Sequence, residues 1–255
     1  MVGKYILEDF CGIAVDVEPS SEYIYRKTVT DGHTLVIGVS QSGETADTIT
    51  AVKQSKERGS HILIITNRPD STMAREADSL ISVCAGIEVS VAATKSYMAQ
   101  LVSFYLLALY MAEIKGSMQV KLKKDLIKLP EKADEILSHE NVVKACARTY
   151  ANAKNFVYIA RGINFPTALE GALKLKEISY IHSEAYAAGE LKHGTIALIT
   201  ENTPVIAVVT QRRLHDKEMS NIRHGVEHIF TLPGNGSPPH INDGQARCPL
   251  FSGIL

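Results

Sequence analysis

Apolar and polar residues follow two rhythms along this chain. Short runs rich in β-branched residues, at Gly12–Val17, Thr34–Val39, His61–Thr66 and Leu80–Cys84, read as strands. Each is apolar enough for burial on both faces, as a parallel sheet requires. Helical periods follow the second and fourth of these, over Ala46–Arg58 and over the greasy stretch Met98–Ile114. Such alternation predicts an α/β protein built on parallel sheets. Met98–Ile114 carries Gln100, Ser103 and Glu113 and is short for a bilayer span, so a buried helix is expected there. From Gln119 to Asn155 the pattern becomes charged amphipathic helix interrupted by Pro130, which reads as a connector between domains. A second α/β unit then opens with a strand at Phe156–Ala160, a turn at Arg161-Gly162 and a helix started by Pro166. Its further strands are expected at Ile196–Ile199 and Pro204–Thr210.

The two units echo one another. The run from Pro204 to Gln211 (PVIAVVTQ) resembles that from Thr34 to Gln41 (TLVIGVSQ) at nearly every position, the mark of a duplicated half. The continuations differ. The first copy runs into Ser42-Gly43-Glu44-Thr45, the second into Arg212-Arg213-Leu214. In the first, a strand ends in small hydroxyl residues and glycine and then turns into a helix, so backbone N–H groups and the positive end of a helix dipole converge on one spot. That predicts a phosphate cradle at Ser40, Gln41, Ser42 and Thr45, in the first copy alone. No lysine lies in the loop, which favours a monophosphate ester over a triphosphate. Taken by itself, the loop also reads as an ordinary strand-to-helix turn with a good cap.

A second concentration of chemistry runs from Glu170 to His193. Glu170, Lys174 and Glu177 fall at i, i+4 and i+7, on one face of a helix whose other residues are so apolar that it should be mostly buried. His182, Glu184, Glu190, Lys192 and His193 crowd a glycine-containing stretch read as a loop. A solvated ion-pair face accounts for the helix. Carboxylate, amine and imidazole together also suit proton transfer beside a carbonyl.

Composition narrows the classes. The 255 residues, 45% apolar, can fill two modest cores. A net charge of −1 gives no field for nucleic acid or an anionic membrane, so partners are expected to be small molecules or another copy of the chain. Cys11, Cys84, Cys146 and Cys248 form no C-x-x-C pair and no metal-like spacing with histidine, which suits a reducing cytoplasm and no structural zinc, and no cofactor is expected. Met1–Gly12 lacks the apolar core of a signal peptide.

Ala168–Gly194 (ALEGALKLKEISYIHSEAYAAGELKHG) resembles the signature of the isomerase half of the glutamine:fructose-6-phosphate amidotransferase family. The stretches SQSGETADT and Glu88–Lys95 (EVSVAATK) resemble its sugar-phosphate loops in the same order, and the match runs from near Met1 to about Arg223. The resemblance implies two tandem sugar-isomerase (SIS) domains, each a parallel sheet flanked by helices, in a homodimer. It divides the chain into a first domain at 1–117 with an incomplete sheet, a connector at 118–154, a partial second domain at 155–223 and a non-matching, poorly ordered tail at 224–255. By the same resemblance Ser40, Gln41, Ser42 and Thr45 hold the phosphate of fructose 6-phosphate, while the Val91 backbone and Ala93 meet the sugar. Ala93 stands where the family usually has serine. Glu177 would be the base that moves a proton from C1 to C2 after ammonia adds at C2, with Lys174 beside it. His193 of the partner subunit would assist ring opening. No glutaminase segment is present, so glutamine use is not expected of this chain alone, a glutaminase partner on another chain being one source of ammonia, and the family's tail lysine has no counterpart. Three expectations stand together: an isomerase, a non-catalytic sugar-phosphate binding module, and an inactive fragment truncated at both ends.

Overall fold

The computed structural model describes residues 1–117, 119–200, 202–223 and 229–233. They divide into two units, Gly3–Leu122 and the residues from Lys123 onward. The first contains α1 (Val2–Cys11), α2 (Ser20–Tyr23), β1 (Leu35–Ser40), α3 (Ala46–Glu57), β2 (His61–Thr66), α4 (Thr72–Arg75), β3 (Ser79–Ser82) and α5 (Lys95–Ile114), with α6 (Val120–Ile127) crossing the boundary. Its three strands are parallel in the order β1-β2-β3. β2 is central, and Ile62, Ile64 and Ile65 are fully buried, as a run of β-branched residues covered on both faces should be. Val52 of α3 and Met73 of α4 close over Ile62 and Ile64 to make this unit's core.

Two expectations fail here. Gly12–Val17 is not a strand, because Gly12 takes φ 60° and ends α1 through a hydrogen bond from its N–H to Glu8 O. The following amides then go to carboxylates, Val15 N–H to Glu8 Oε1 and Val17 N–H to Asp16 Oδ1, and among the described residues no strand pairs with them. The helix expected within Met98–Ile114 forms, but only one side of it is covered. Ser96, Ser103, Ala108 and Ala112 are buried, whereas Met98, Leu106, Tyr110 and Ile114, spaced by four or eight residues, are 49–69% exposed.

The second unit holds α7 (Leu129–Ser138), α8 (Glu140–Thr149), β4 (Asn155–Ala160), α9 (Asn164–Ser179), β5 (His182–Ala187), β6 (Val205–Val209), α10 (His215–Arg223) and β7 (Ile229–Pro233). Its four strands are parallel in the order β5-β4-β6-β7. The core gathers Val157 and Ile159 of β4, Ala188, Leu191, and Val205, Ala207 and Val209 of β6. Thr195–Leu198 is a 3₁₀ turn and not the expected strand, since Ile196 N–H bonds back to Leu191 O and the Ile196/Ile199 pair packs on that core at helical spacing. The expected loop beginning at His182 starts as strand β5. The expected tail is corrected as well, because Ile229–Pro233 pairs in parallel with β6, and residues 234–255 lie outside the described part. The sequence echo has a topological counterpart: β1-α3-β2 and β6-α10-β7 are both crossovers between adjacent parallel strands.

Candidate functional site

β1 delivers Ser40 to the carboxyl end of the first sheet, and the chain turns there into α3. The turn needs a glycine. Gly43 has φ 68°, and a Cβ on it would lie 2.1 Å from Ser71 Oγ. The buried Ser40 hydroxyl accepts from the Gly43 amide at 3.0 Å and lies 3.1 Å from Thr45 Oγ1. Thr45 occupies the N-cap of α3 but makes no side-chain cap. The first-turn N–H groups of α3 therefore face the loop with the positive end of the helix and no side-chain acceptor, the arrangement that receives an anion. From behind, the loop is tied down by the Met73 amide to Gly43 O at 3.0 Å, the Thr72 amide to Glu44 Oε1 at 2.8 Å and the Asn67 amide to Gln41 O at 3.2 Å.

Gln41 and Ser42 open onto a cleft of about 680 Å³, within the range of small-molecule pockets. Three carboxylates line it, and each is engaged by the protein. Glu44 accepts from Thr72, Asp70 holds Arg68 through two bonds of 3.1 Å, and Glu88 accepts from Thr94 and Ser96. These partners hold all three carboxyls below the usual carboxylate range: chiefly the Thr72 amide for Glu44, Arg68 for Asp70 and the Ser96 hydroxyl for Glu88. Arg68 balances the charge of Asp70, while the oxygens of Glu44 and Glu88 are occupied by neutral donors, so the free hydroxyls and amides of the loop remain for a ligand.

The fold thus brings Ser40, Gln41, Ser42 and Thr45 together as expected. Val91 and Ala93 follow Glu88 on the segment between β3 and α5, Val91 95% exposed and Ala93 half-buried. Sequence reasoning missed Asn67, Arg68, Cys84 and Glu88, all on the cleft. Glu88 carried a signal, since it opens the matching stretch EVSVAATK; the others carried none.

In the second unit Lys174 Nζ lies 2.6 Å from Glu177 Oε2 and 3.4 Å from Glu170 Oε1, all three side chains 22–29% exposed. Burial alone would lower the Lys174 pKa, but the Glu177 hydrogen bond and both carboxylate charges outweigh it and raise it. α9 is less buried than its composition suggested, with Leu173 and Ile178 exposed. The polar cluster beyond it is also split. His182, Glu184 and Tyr186 alternate onto one face of β5, where Tyr186 donates to Glu184, while Glu190, Lys192 and His193 sit in the turns after it. His193 is exposed, and its side chain has no partner among the described residues. At the carboxyl end of β6, Gln211 Nε2 donates to Arg161 O, Asn164 Nδ2 to Val208 O, and Thr210 Oγ1 to Asn164 Oδ1. The crevice between β4 and β6 is therefore filled by the protein's own amides, where the first unit has an open cradle.

The SIS domain family model matches residues 1–110 and 149–224, on either side of the helical connector. The chain belongs to the SIS domain family. Glutamine–fructose-6-phosphate aminotransferase (isomerizing) of Clostridium acetobutylicum is 49% identical over 228 residues, which are 88% of this chain and 37% of that protein. Its counterpart from Clostridium perfringens is 46% identical over 259 residues, covering 100% of this chain and 42% of its own length, so the expected non-matching tail is matched there. The chain thus spans about two fifths of the length of these relatives. Among solved structures, the C-terminal domain of glucosamine-fructose-6-phosphate aminotransferase from Francisella tularensis is 33% identical with a TM-score of 0.88, over 97% of this chain and 72% of that one. Both SIS segments thus have the parallel, helix-flanked sheets that the sequence predicted.

Proposed function

We propose that this chain binds fructose 6-phosphate and carries out the isomerase step of glucosamine 6-phosphate synthesis. The observation that carries the reading is the Ser40–Thr45 loop, whose hydroxyls and uncapped helix start converge on one spot, an arrangement that supports binding of a phosphate monoester. The names of the relatives support the substrate. In the reaction, ammonia adds to the C2 carbonyl of the opened sugar and water leaves, giving an imine. Glu177 takes a proton from C1 and returns it to C2, and Lys174, 2.6 Å away, offsets the charge on the carboxylate. The phosphate anchors the substrate through Ser40, Gln41, Ser42 and Thr45, and Val91 and Ala93 meet the sugar. His193 assists ring opening across the interface of a homodimer. The reading sets the protein in the cytoplasm, in the pathway toward UDP-N-acetylglucosamine, with ammonia as the nitrogen donor and no cofactor.

A binding module without turnover is the second reading, favoured by the intact Ser40–Thr45 loop, which can hold a phosphate without any of the proton-transfer groups on α9. Two measurements separate the readings. Glucosamine 6-phosphate should raise the melting temperature in proportion to RT ln(1 + [L]/Kd); an unmoved transition removes both. Conversion of fructose 6-phosphate to glucose 6-phosphate should fall by about 10²–10⁴ in Glu177→Gln while binding is retained. Turnover that survives the substitution takes the base role away from Glu177, and no turnover in the unaltered chain leaves the binding module.

A further inference from the structure

Residues 85–94, between β3 and α5, have no regular structure, and Gly86, Ile87 and Glu88 of this segment line the cleft. Apolar burial holds this segment at Ala92 alone, 2% exposed, because Ile87, Val89 and Val91 are 81%, 89% and 95% exposed. Two side chains hold its ends. Asn67, just beyond β2, grips the near end: its Nδ2 donates to Gly86 O at 2.7 Å and its Oδ1 accepts from the Ala85 amide at 2.9 Å. Glu88 grips the far end through one oxygen. Its Oε2 accepts from the Thr94 amide at 3.3 Å, the Ser96 amide at 3.1 Å and the buried Ser96 hydroxyl at 2.7 Å. Thr94 is the N-cap of α5 and provides no side-chain cap of its own, so Glu88 satisfies the start of a 20-residue helix from inside the loop.

We propose that Glu88 is a positioning residue, fixing the 88–94 loop as the wall against which the sugar part of a phosphosugar lies, while the phosphate is held independently at Ser40–Thr45. The inference rests on the phosphosugar reading and adds to it a residue that transfers no proton. A carboxylate oxygen already accepting three hydrogen bonds is a poor base. Such a clamp matters to affinity because ordering a loop costs conformational entropy, and a loop that is not held in advance takes that cost from the ligand's binding energy. The cradle would not share the loss, since its own ties run to Thr72, Met73 and the Asn67 backbone.

Titration of the full chain with glucosamine 6-phosphate and with inorganic phosphate tests the division. Glu88→Ala should raise the Kd for glucosamine 6-phosphate by about tenfold and that for inorganic phosphate by less than about twofold. Glu88→Gln, which keeps an acceptor oxygen, should recover part of the loss. Ser96→Ala removes one of the three bonds at little change in volume and should give a smaller loss with the same selectivity; it carries the test should Glu88→Ala not fold. Equal weakening of both ligands, or of neither, overturns the inference. Where the unaltered chain binds neither ligand, the phosphosugar reading fails first, whereas intact binding of glucosamine 6-phosphate by Glu88→Ala sinks the positioning role alone.

Discussion

At Gly43 one missing methyl group makes the cradle possible. Its φ of 68° strains any other residue, and an added Cβ would meet Ser71 Oγ and Cβ at 2.1 and 2.5 Å. Ser71 cannot simply turn away, because its hydroxyl caps α4 by accepting from the Ala74 amide. Gly43→Ala should therefore cost about 1–3 kcal/mol of stability and abolish the thermal response to glucosamine 6-phosphate. An unchanged melting curve with an intact ligand shift would contradict this geometry. At the same scale, the cradle was legible because its chemistry is contiguous: strand end, hydroxyls, glycine, helix. Glu88 was not legible as a clamp. Its partners at Thr94 and Ser96 are set only when the loop closes back on the start of α5.

At the scale of elements, α10 carries the least expected group. The helix reads as polar, yet Glu218 is 1% exposed, and neither of its oxygens nor the neighbouring Arg161 Nε has a hydrogen-bond partner among the described residues. Burial pushes the Glu218 carboxyl up to about 7, against the opposing pull of the Arg161 amide and guanidinium. Because the folded pKa lies above the unfolded one, the folded state keeps a proton that the unfolded state has released between the two values. The penalty is therefore absent at low pH, grows from the ordinary carboxylate range toward pH 7, and is complete above it. It amounts to about 3 kcal/mol at one pKa unit per 1.36 kcal/mol. Glu218→Met should raise the melting temperature more at pH 8 than at pH 5; an equal gain at both would show that no titration is involved. β5 escaped sequence reasoning for a related reason. An edge strand of a parallel sheet tolerates His182, Glu184 and Tyr186 on one face, so it lacks the apolar run that marked the central strands.

For the whole molecule, the homodimer in the proposed function calls for a surface to bury, and α5 offers Met98, Leu106, Tyr110 and Ile114 along one exposed side. Sedimentation should find a dimer, and Leu106→Lys with Tyr110→Lys should shift it toward monomer. A dimer indifferent to both charges would have its interface elsewhere. Paired α/β units around a helical connector were readable from hydrophobic rhythm, and the family model matches on both sides of that connector. The edges of the units were less readable. Gly12–Val17 has strand rhythm but no partner strand among the described residues, and Ile229–Pro233 becomes a strand by adding to β6.

The sequence by itself determined the local features: apolar runs that must pair, a glycine that alone can take the turn at position 43, and Lys174 and Glu177 three residues apart on one helix. Neighbours in the chain impose these through backbone sterics and helical spacing. Only the tertiary structure decided which polar groups are engaged, because hydrogen-bond partners and loss of water depend on residues distant in sequence. It engaged the cleft carboxylates Glu44, Asp70 and Glu88, filled the second unit's crevice with Asn164 and Gln211, and buried Glu218.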